Sequence, residues 1–299
     1  IYTIVLIGMP GIAETPALMP AWVGVHWAQF ACFLLFWAMN IYFIWRGINS
    51  IRIMEHLSAP FLIVCGLALL AWAYVQADGF GPMLQAESQL TPDLFLELFF
   101  PSLTAMVGFW ATLTLNISDF TRYARDQRAQ VLGQLSGLPT TMTLFAFIGV
   151  AVTSATIVIF GEAIWDPVVL VRRFDSPLLV FFSMVAVVIA TLSTNAAANV
   201  VGPANSFSNL WPSRIDFKRG GYITGVIGIV MMPWKLLADP TGYVFTWLIG
   251  YSALLGPVIG IILVDYFLVR RTELDVTDLY RRDGRYAGVT GRPVLALLL

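Results

Sequence analysis

The sequence predicts an all-α polytopic membrane protein. Hydrophobic residues make up 58% of the 299 and charged residues only 12%, about half the charged share of a soluble globular domain. Stretches of about 20 mostly apolar residues, the length a helix needs to cross hydrocarbon, recur along the chain. Basic residues collect in every second connection between them, as they do on the cytoplasmic side of membrane proteins.

Seven stretches qualify as spans: Trp27–Ile44, Leu57–Val75, Leu96–Ile117, Thr141–Phe160, Leu178–Val201, Tyr222–Leu237 and Tyr243–Val269. Apolar residues run all round them, as expected where lipid and protein neighbours are both apolar. The ends, Ile1 to Ile7 and Val294 to Leu299, read as two partial helices cut mid-span. The sequence therefore reads as one incomplete transmembrane domain over residues 1–299, missing helices at both ends.

Placing the connection after the first full span inside the cell puts Arg46 and Arg52 there, and by alternation Arg122, Arg125 and Arg128, then Arg214, Lys218 and Arg219. Arg270, Arg271, Arg281, Arg282, Arg285 and Arg292 follow on the same side, leaving Arg172, Arg173 and Lys235 outside. An extra or missing crossing would scramble that pattern. The outer connection before the third span carries Asp78, Glu87, Asp93 and Glu97, and its stretch from Pro82 to Pro92 reads as an exterior loop. Arg122 to Gln134 is polar and rich in helix formers and reads as a short helix on the cytoplasmic membrane surface, with Asp119 and Arg122 spaced as a same-face pair. These features place the chain in a cell membrane, plasma or inner, as a multi-pass protein.

Several functions are excluded. A net charge of −1 argues against a nucleic-acid partner. Two histidines, His26 and His56, and two cysteines in apolar runs, Cys32 and Cys65, form no zinc or di-iron pattern. The cysteines read as small hydrophobes. No cofactor is implied.

Polar groups inside a span are costly and face protein or a water-filled cavity. The densest set runs from Ala190 to Asn199. Ala190, Ser193 and Thr194 share one helix face, and two hydroxyls beside small residues suit a hard cation such as Na⁺. In an ideal helix Asn199 lies about 140° round from Thr194 and ~7.5 Å further along, so one helix could line a cation site and a substrate site. The same residues also read as polar glue between helices. Trp110, beside Gly108 and well inside its span, reads either as a stacking platform for a planar ligand or as core packing. Asn116, Ser118 and Asp119 read as helix-end groups. Leu254, Gly256 and Pro257 read either as a flexible gate or as a simple kink. Asn40 reads as interhelical glue, and Asp265 as an interfacial anchor near Arg270.

Taken together, these motifs resemble a known family. Gly108-Phe109-Trp110-Ala111 with Asn116-Ile117-Ser118-Asp119-Phe120-Thr121-Arg122-Tyr123 resembles the sixth helix of the first class of nucleobase:cation symporters, which includes hydantoin, allantoin, uracil and cytosine permeases. Ser193-Thr194-Asn195, Ala197-Ala198-Asn199 and Gly202-Pro203-Ala204-Asn205 resemble its eighth helix. Leu254-Leu255-Gly256-Pro257 with Asp265-Tyr266-Phe267 and Arg270-Arg271 resemble its tenth, and Phe36-Trp37-Ala38-Met39-Asn40 with Trp45-Arg46-Gly47 its fourth.

The resemblance implies a leucine-transporter-like fold of inverted repeats, entered at the end of helix three and left early in helix eleven. It implies cation-coupled symport of a nucleobase-like heterocycle, with Na⁺ or H⁺ as coupling ion and the lipid bilayer as surroundings. Trp110 would stack on the ring and Asn199 would hydrogen-bond it. Ala190 through its carbonyl, Ser193 and Thr194 would bind the cation. The family's first and third helices supply the remaining ligands, and this sequence lacks them, so transport is expected of a longer parent chain. Two other classes, a membrane-embedded enzyme and a channel, remain as alternatives. The first would need clustered carboxylates or histidines near an interface; the second would show non-saturating currents.

Overall fold

The computed structural model describes residues 1–16, 18–85, 90–281, 283–288 and 291–298. Glu87 of the expected outer loop and Arg282 of the expected inner one lie outside the described residues, as do residues 86–89 of the Pro82 to Pro92 loop and Leu299 of the last partial helix. The described chain is helical throughout its apolar stretches. Among the described residues, six helices are long and apolar enough to cross a bilayer: α1 (Trp27–Arg46), α2 (Ile48–Gln76), α3 (Pro92–Thr121), α4 (Gln127–Phe160), α5 (Pro177–Leu210) and, after a shorter helix α6 (Phe217–Val230), α7 (Pro240–Val269). The expected partial helices appear as Tyr2–Gly8 and Gly291–Leu298.

Several helices begin at a polar cap that meets their unpaired N–H groups. His26 and Gln29 form a reciprocal cap on α1. Thr91 caps α3, Asp126 caps α4, Ser176 caps α5, Asp216 caps α6 and Asp239 caps α7. The helices therefore outrun the apolar stretches that signal them, because hydropathy marks only the part in lipid. The expected surface helix at Arg122 to Gln134 is corrected by this. Residues 122–126 form turns, and Gln127 onward is the first part of α4, continuous with the span.

The expected sixth span, Tyr222–Leu237, is also corrected. Helix α6 has 14 residues, about 21 Å at 1.5 Å per residue, short of the ~30 Å hydrocarbon core. Pro233 lacks an N–H and disfavours helical geometry at the residue before it. Met232 takes a left-handed φ of 47°, and a separate short helix follows at Pro233–Leu237.

The chain divides into two compact units. The first comprises residues 1–89 and 119–235, the second residues 90–118 and 236–299. In the first unit α2 packs on α4 and α5, α1 on α2 and α6, and the end of α5 on α6. Its main apolar cluster joins Ala73, Ala77, Met83, Ile148, Ala151, Val152, Ala155, Ile164 and Leu170. Thr156 sits beside this cluster, fully buried, and its hydroxyl accepts from the Ile164 amide at 2.8 Å. In the second unit α3 packs on α7.

Close packing of α6 depends on glycines. A Cβ on Gly221 would lie 2.5 Å from Ile44 Cγ2, and one on Gly228 2.5 Å from Trp37 Cζ2. Gly149 in α4 has no such neighbour. Small residues at helix contacts let backbones approach in membranes. Gly221→Val is therefore expected to destabilise the protein by roughly 1–3 kcal/mol through overpacking, whereas Gly149→Ala changes little. Thermal unfolding of the two variants in detergent checks this contrast.

Candidate functional site

Helix α5 carries most of the candidate residues. It is α-helical over Pro177–Asn195, turns π-helical over Ala196–Val201 and is α-helical again over Gly202–Leu210. A π segment closes i→i+5 bonds and widens the turn, and such segments collect at functional sites. The ideal-helix angle between Thr194 and Asn199 therefore does not apply, because the wide turn lies between them.

Within this helix the hydroxyls divide into two kinds. Thr191 donates to the Val187 carbonyl at 2.8 Å, and Ser208 to the Ala204 carbonyl at 3.0 Å. These are spent on their own backbone. Ser193 is buried, at 2% exposure, and Thr194 is exposed. Neither hydroxyl makes a hydrogen bond with another described residue. Ala190, one turn earlier, is half-buried. Hydroxyl oxygens without a described partner are neutral hard donors, the kind a monovalent hard cation takes. No group of three or more His, Cys, Asp or Glu side chains comes together among the described residues.

Asn199 lies in the π segment and is exposed. Its Nδ2 donates to Asn195 Oδ1 at 3.0 Å, and Asn195 Nδ2 donates to Asn40 Oδ1 at 3.0 Å. Asn40, fully buried in α1, donates from Nδ2 to the Phe36 carbonyl at 2.9 Å. Asn40 does join two helices, as its mid-span position suggests. Its connection to Asn199 is not visible in the sequence, because the two partners Asn40 and Asn195 are 155 residues apart.

In the same unit, Arg122 Nη2 donates to Asn205 Oδ1 at 3.4 Å, and Asp119 lies beside both. The expected Asp119–Arg122 pair is thus tied to the end of α5 through the buried Asn205. Local spacing shows the pair but not this third partner.

The second unit holds Trp110, Leu254, Gly256 and Pro257. Trp110 is half-buried, with Phe109 edge-on at 5.4 Å between centroids. Gly108, two residues earlier, lets α3 lie against α7: a Cβ there would come within 2.5 Å of the Leu248 carbonyl oxygen. Ser252 fastens the same contact, donating to the Thr104 carbonyl at 2.8 Å. Pro257 lies within the α-helical part of α7, Ile249–Leu263, which is flanked by π-helical turns at Tyr243–Leu248 and Val264–Val269. Leu254 is exposed, and a Cβ on Gly256 would meet nothing within 4 Å. Asp265 pairs with Arg270 Nε at 2.5 Å, and the guanidinium of Arg270 lies 4.4 Å from the Tyr286 ring centroid, which fits an anchor. That carboxylate raises the guanidinium's pKa further, so the anchor holds its charge.

A family model described as permease for cytosine/purines, uracil, thiamine and allantoin matches residues 2–299. The chain belongs to this permease family. The purine-uracil permease NCS1 of Arabidopsis thaliana is 49% identical over 274 residues, covering 91% of this permease-family chain and 46% of the relative. The allantoin permease of Bacillus subtilis is 41% identical over 268 residues, covering 88% and 54%. The chain thus spans about half the length of the curated relatives it matches. A structure of Mhp1, a nucleobase-cation-symport-1 family transporter, closed with bromovinylhydantoin bound, matches with a TM-score of 0.68 at 24% identity. That match covers 99% of this chain and 67% of Mhp1, and it agrees with the expected leucine-transporter-like fold. An inward-facing conformation of Mhp1 matches with a TM-score of 0.58 at 25% identity, covering 95% and 60%. The family is one of multi-pass membrane permeases, not of enzymes.

Gly108→Ala is expected to force the α3 and α7 backbones of this family member apart and cost about 1–3 kcal/mol. A lowered unfolding temperature in detergent checks it; an unchanged one would show that the contact is slack.

Proposed function

We propose that the protein carries a nucleobase-like heterocycle, of the allantoin, hydantoin, uracil or cytosine class, into the cell together with a monovalent cation. The substrates named for its relatives, purine, uracil and allantoin, set that class. Residues 1–299 act as part of one transporter domain working by alternating access, in which helix movements expose a midplane site first to one side and then to the other.

In this reading Trp110 stacks on the ring and Asn199 hydrogen-bonds its amide groups. The Ala190 carbonyl, Ser193 and Thr194 bind the cation, and the stretch around Leu254, Gly256 and Pro257 acts as a gate. The observation that carries it is the pair of unspent hydroxyls on Ser193 and Thr194, just before a wide turn that presents the exposed Asn199 amide. The hydroxyls of Thr104, Thr191 and Thr224, by contrast, are tied to carbonyls of their own helices. An oxygen set without carboxylates favours Na⁺ over H⁺, since neutral hydroxyls and a carbonyl do not take up a proton near neutral pH. Cation and ring support each other because binding linkage is reciprocal.

Asn199→Ala in the full-length protein is expected to abolish saturable uptake of the labelled ring while leaving its amount in the membrane unchanged. Uptake at the original rate would remove Asn199 from the site. Ser193→Ala with Thr194→Ala is expected to raise the Na⁺ concentration needed for half-maximal uptake at least tenfold, read from a Na⁺ titration. An unshifted titration would point to another coupling ion or another cation site.

A further inference from the structure

The three asparagines form a row with a direction, and chemistry sets that direction. A backbone carbonyl can only accept. The end of the Asn40 amide that meets the Phe36 carbonyl must therefore be nitrogen. This leaves Asn40 Oδ1 facing Asn195, so Asn195 donates. Asn195 Oδ1 is then left for Asn199, which must donate in turn. Asn199 ends the row with one N–H of its amide held by Asn195, which fixes its orientation, and with its carbonyl oxygen unengaged by any described residue. Turning that amide over would set oxygen against oxygen at Asn195, and correcting this would require turning all three against the Phe36 carbonyl.

The geometry points to Asn40 and Asn195 as positioning residues that hold Asn199 as a hydrogen-bond acceptor, so that the site selects heterocycles presenting a ring N–H at that point over their N-alkylated analogues. This rests on the proposed role of Asn199 as the amide that meets the ring. A free asparagine would be indifferent, since rotation about its last torsion exchanges donor and acceptor. A fixed one discriminates, because a site built to bond an N–H leaves its own polar atom unpaired when that N–H is missing. Asn40 is fully buried at the far end of the row, so it acts on the ligand only through the other two.

The test is competition for uptake by the full-length protein. The probe is labelled uracil, allantoin or hydantoin, whichever is carried, and the competitors are that ring and its ring-N-methyl derivatives. Two variants cut the row at its root. Asn40→Ala removes the amide. In Asn40→Ser the hydroxyl can still donate to the Phe36 carbonyl, one turn back in its own helix, so the helix stays satisfied while the link to Asn195 is lost. Preference for the N–H ring over the methylated one is expected to fall about tenfold, equal to ~1.4 kcal/mol, with transport of the unmodified ring retained. A packing role alone would lower the amount of protein in the membrane, or the maximal rate, without moving that ratio. An inserted Asn40→Ser protein with the parent's discrimination therefore overturns the proposal. Asn199→Ala separates the two claims. Unchanged uptake in that variant sinks the role of Asn199 itself, whereas lost uptake with an unmoved ratio in the Asn40 variants sinks only the row.

Discussion

A polar group inside hydrocarbon has no water to bond, so each must find a partner in the protein. That constraint organises this chain. Thr104, Thr191 and Thr224 return their hydroxyls to carbonyls of their own helices. Thr156 serves the amide of Ile164. Asn40 and Asn195 satisfy each other across two helices. The unengaged oxygens of Ser193, Thr194 and Asn199 all lie on one helix around one wide turn.

The wide turn is part of the same economy. A π-helical segment interrupts the i→i−4 ladder, which would be costly facing lipid and is tolerated where the backbone lines protein or a cavity. Helix α5 pays little for it because Ala196, Val200 and Val201 are buried against neighbours there. Helix α7 has two such segments, on either side of Pro257.

The class of the protein and most of its crossings were legible because lipid imposes long apolar runs. Helix limits were less legible. Caps such as Asp126 and Asp216 lie in polar sequence that hydropathy passes over, so α4 absorbed a stretch that looked like a surface helix. Tyr222–Leu237 is apolar enough to read as one span, yet Pro233 breaks it. Ser193, Thr194 and Asn199 were visible as a local polar run. That the Ser193 and Thr194 hydroxyls lack a described partner, and that Asn199 is tied to Asn40, depend on three-dimensional neighbours that no local spacing encodes.

The glycine contacts of α6 bear on how firmly that amide row is founded. Ile44 fills the space left by Gly221, and Trp37, seven residues earlier, fills the space left by Gly228, seven residues later. The two helices therefore run antiparallel with matched teeth, and neither can slip along the other without driving a side chain into backbone. Asn40 lies between those teeth. The root of the row sits on a notched joint that resists sliding, so α1 and α6 should travel as one piece.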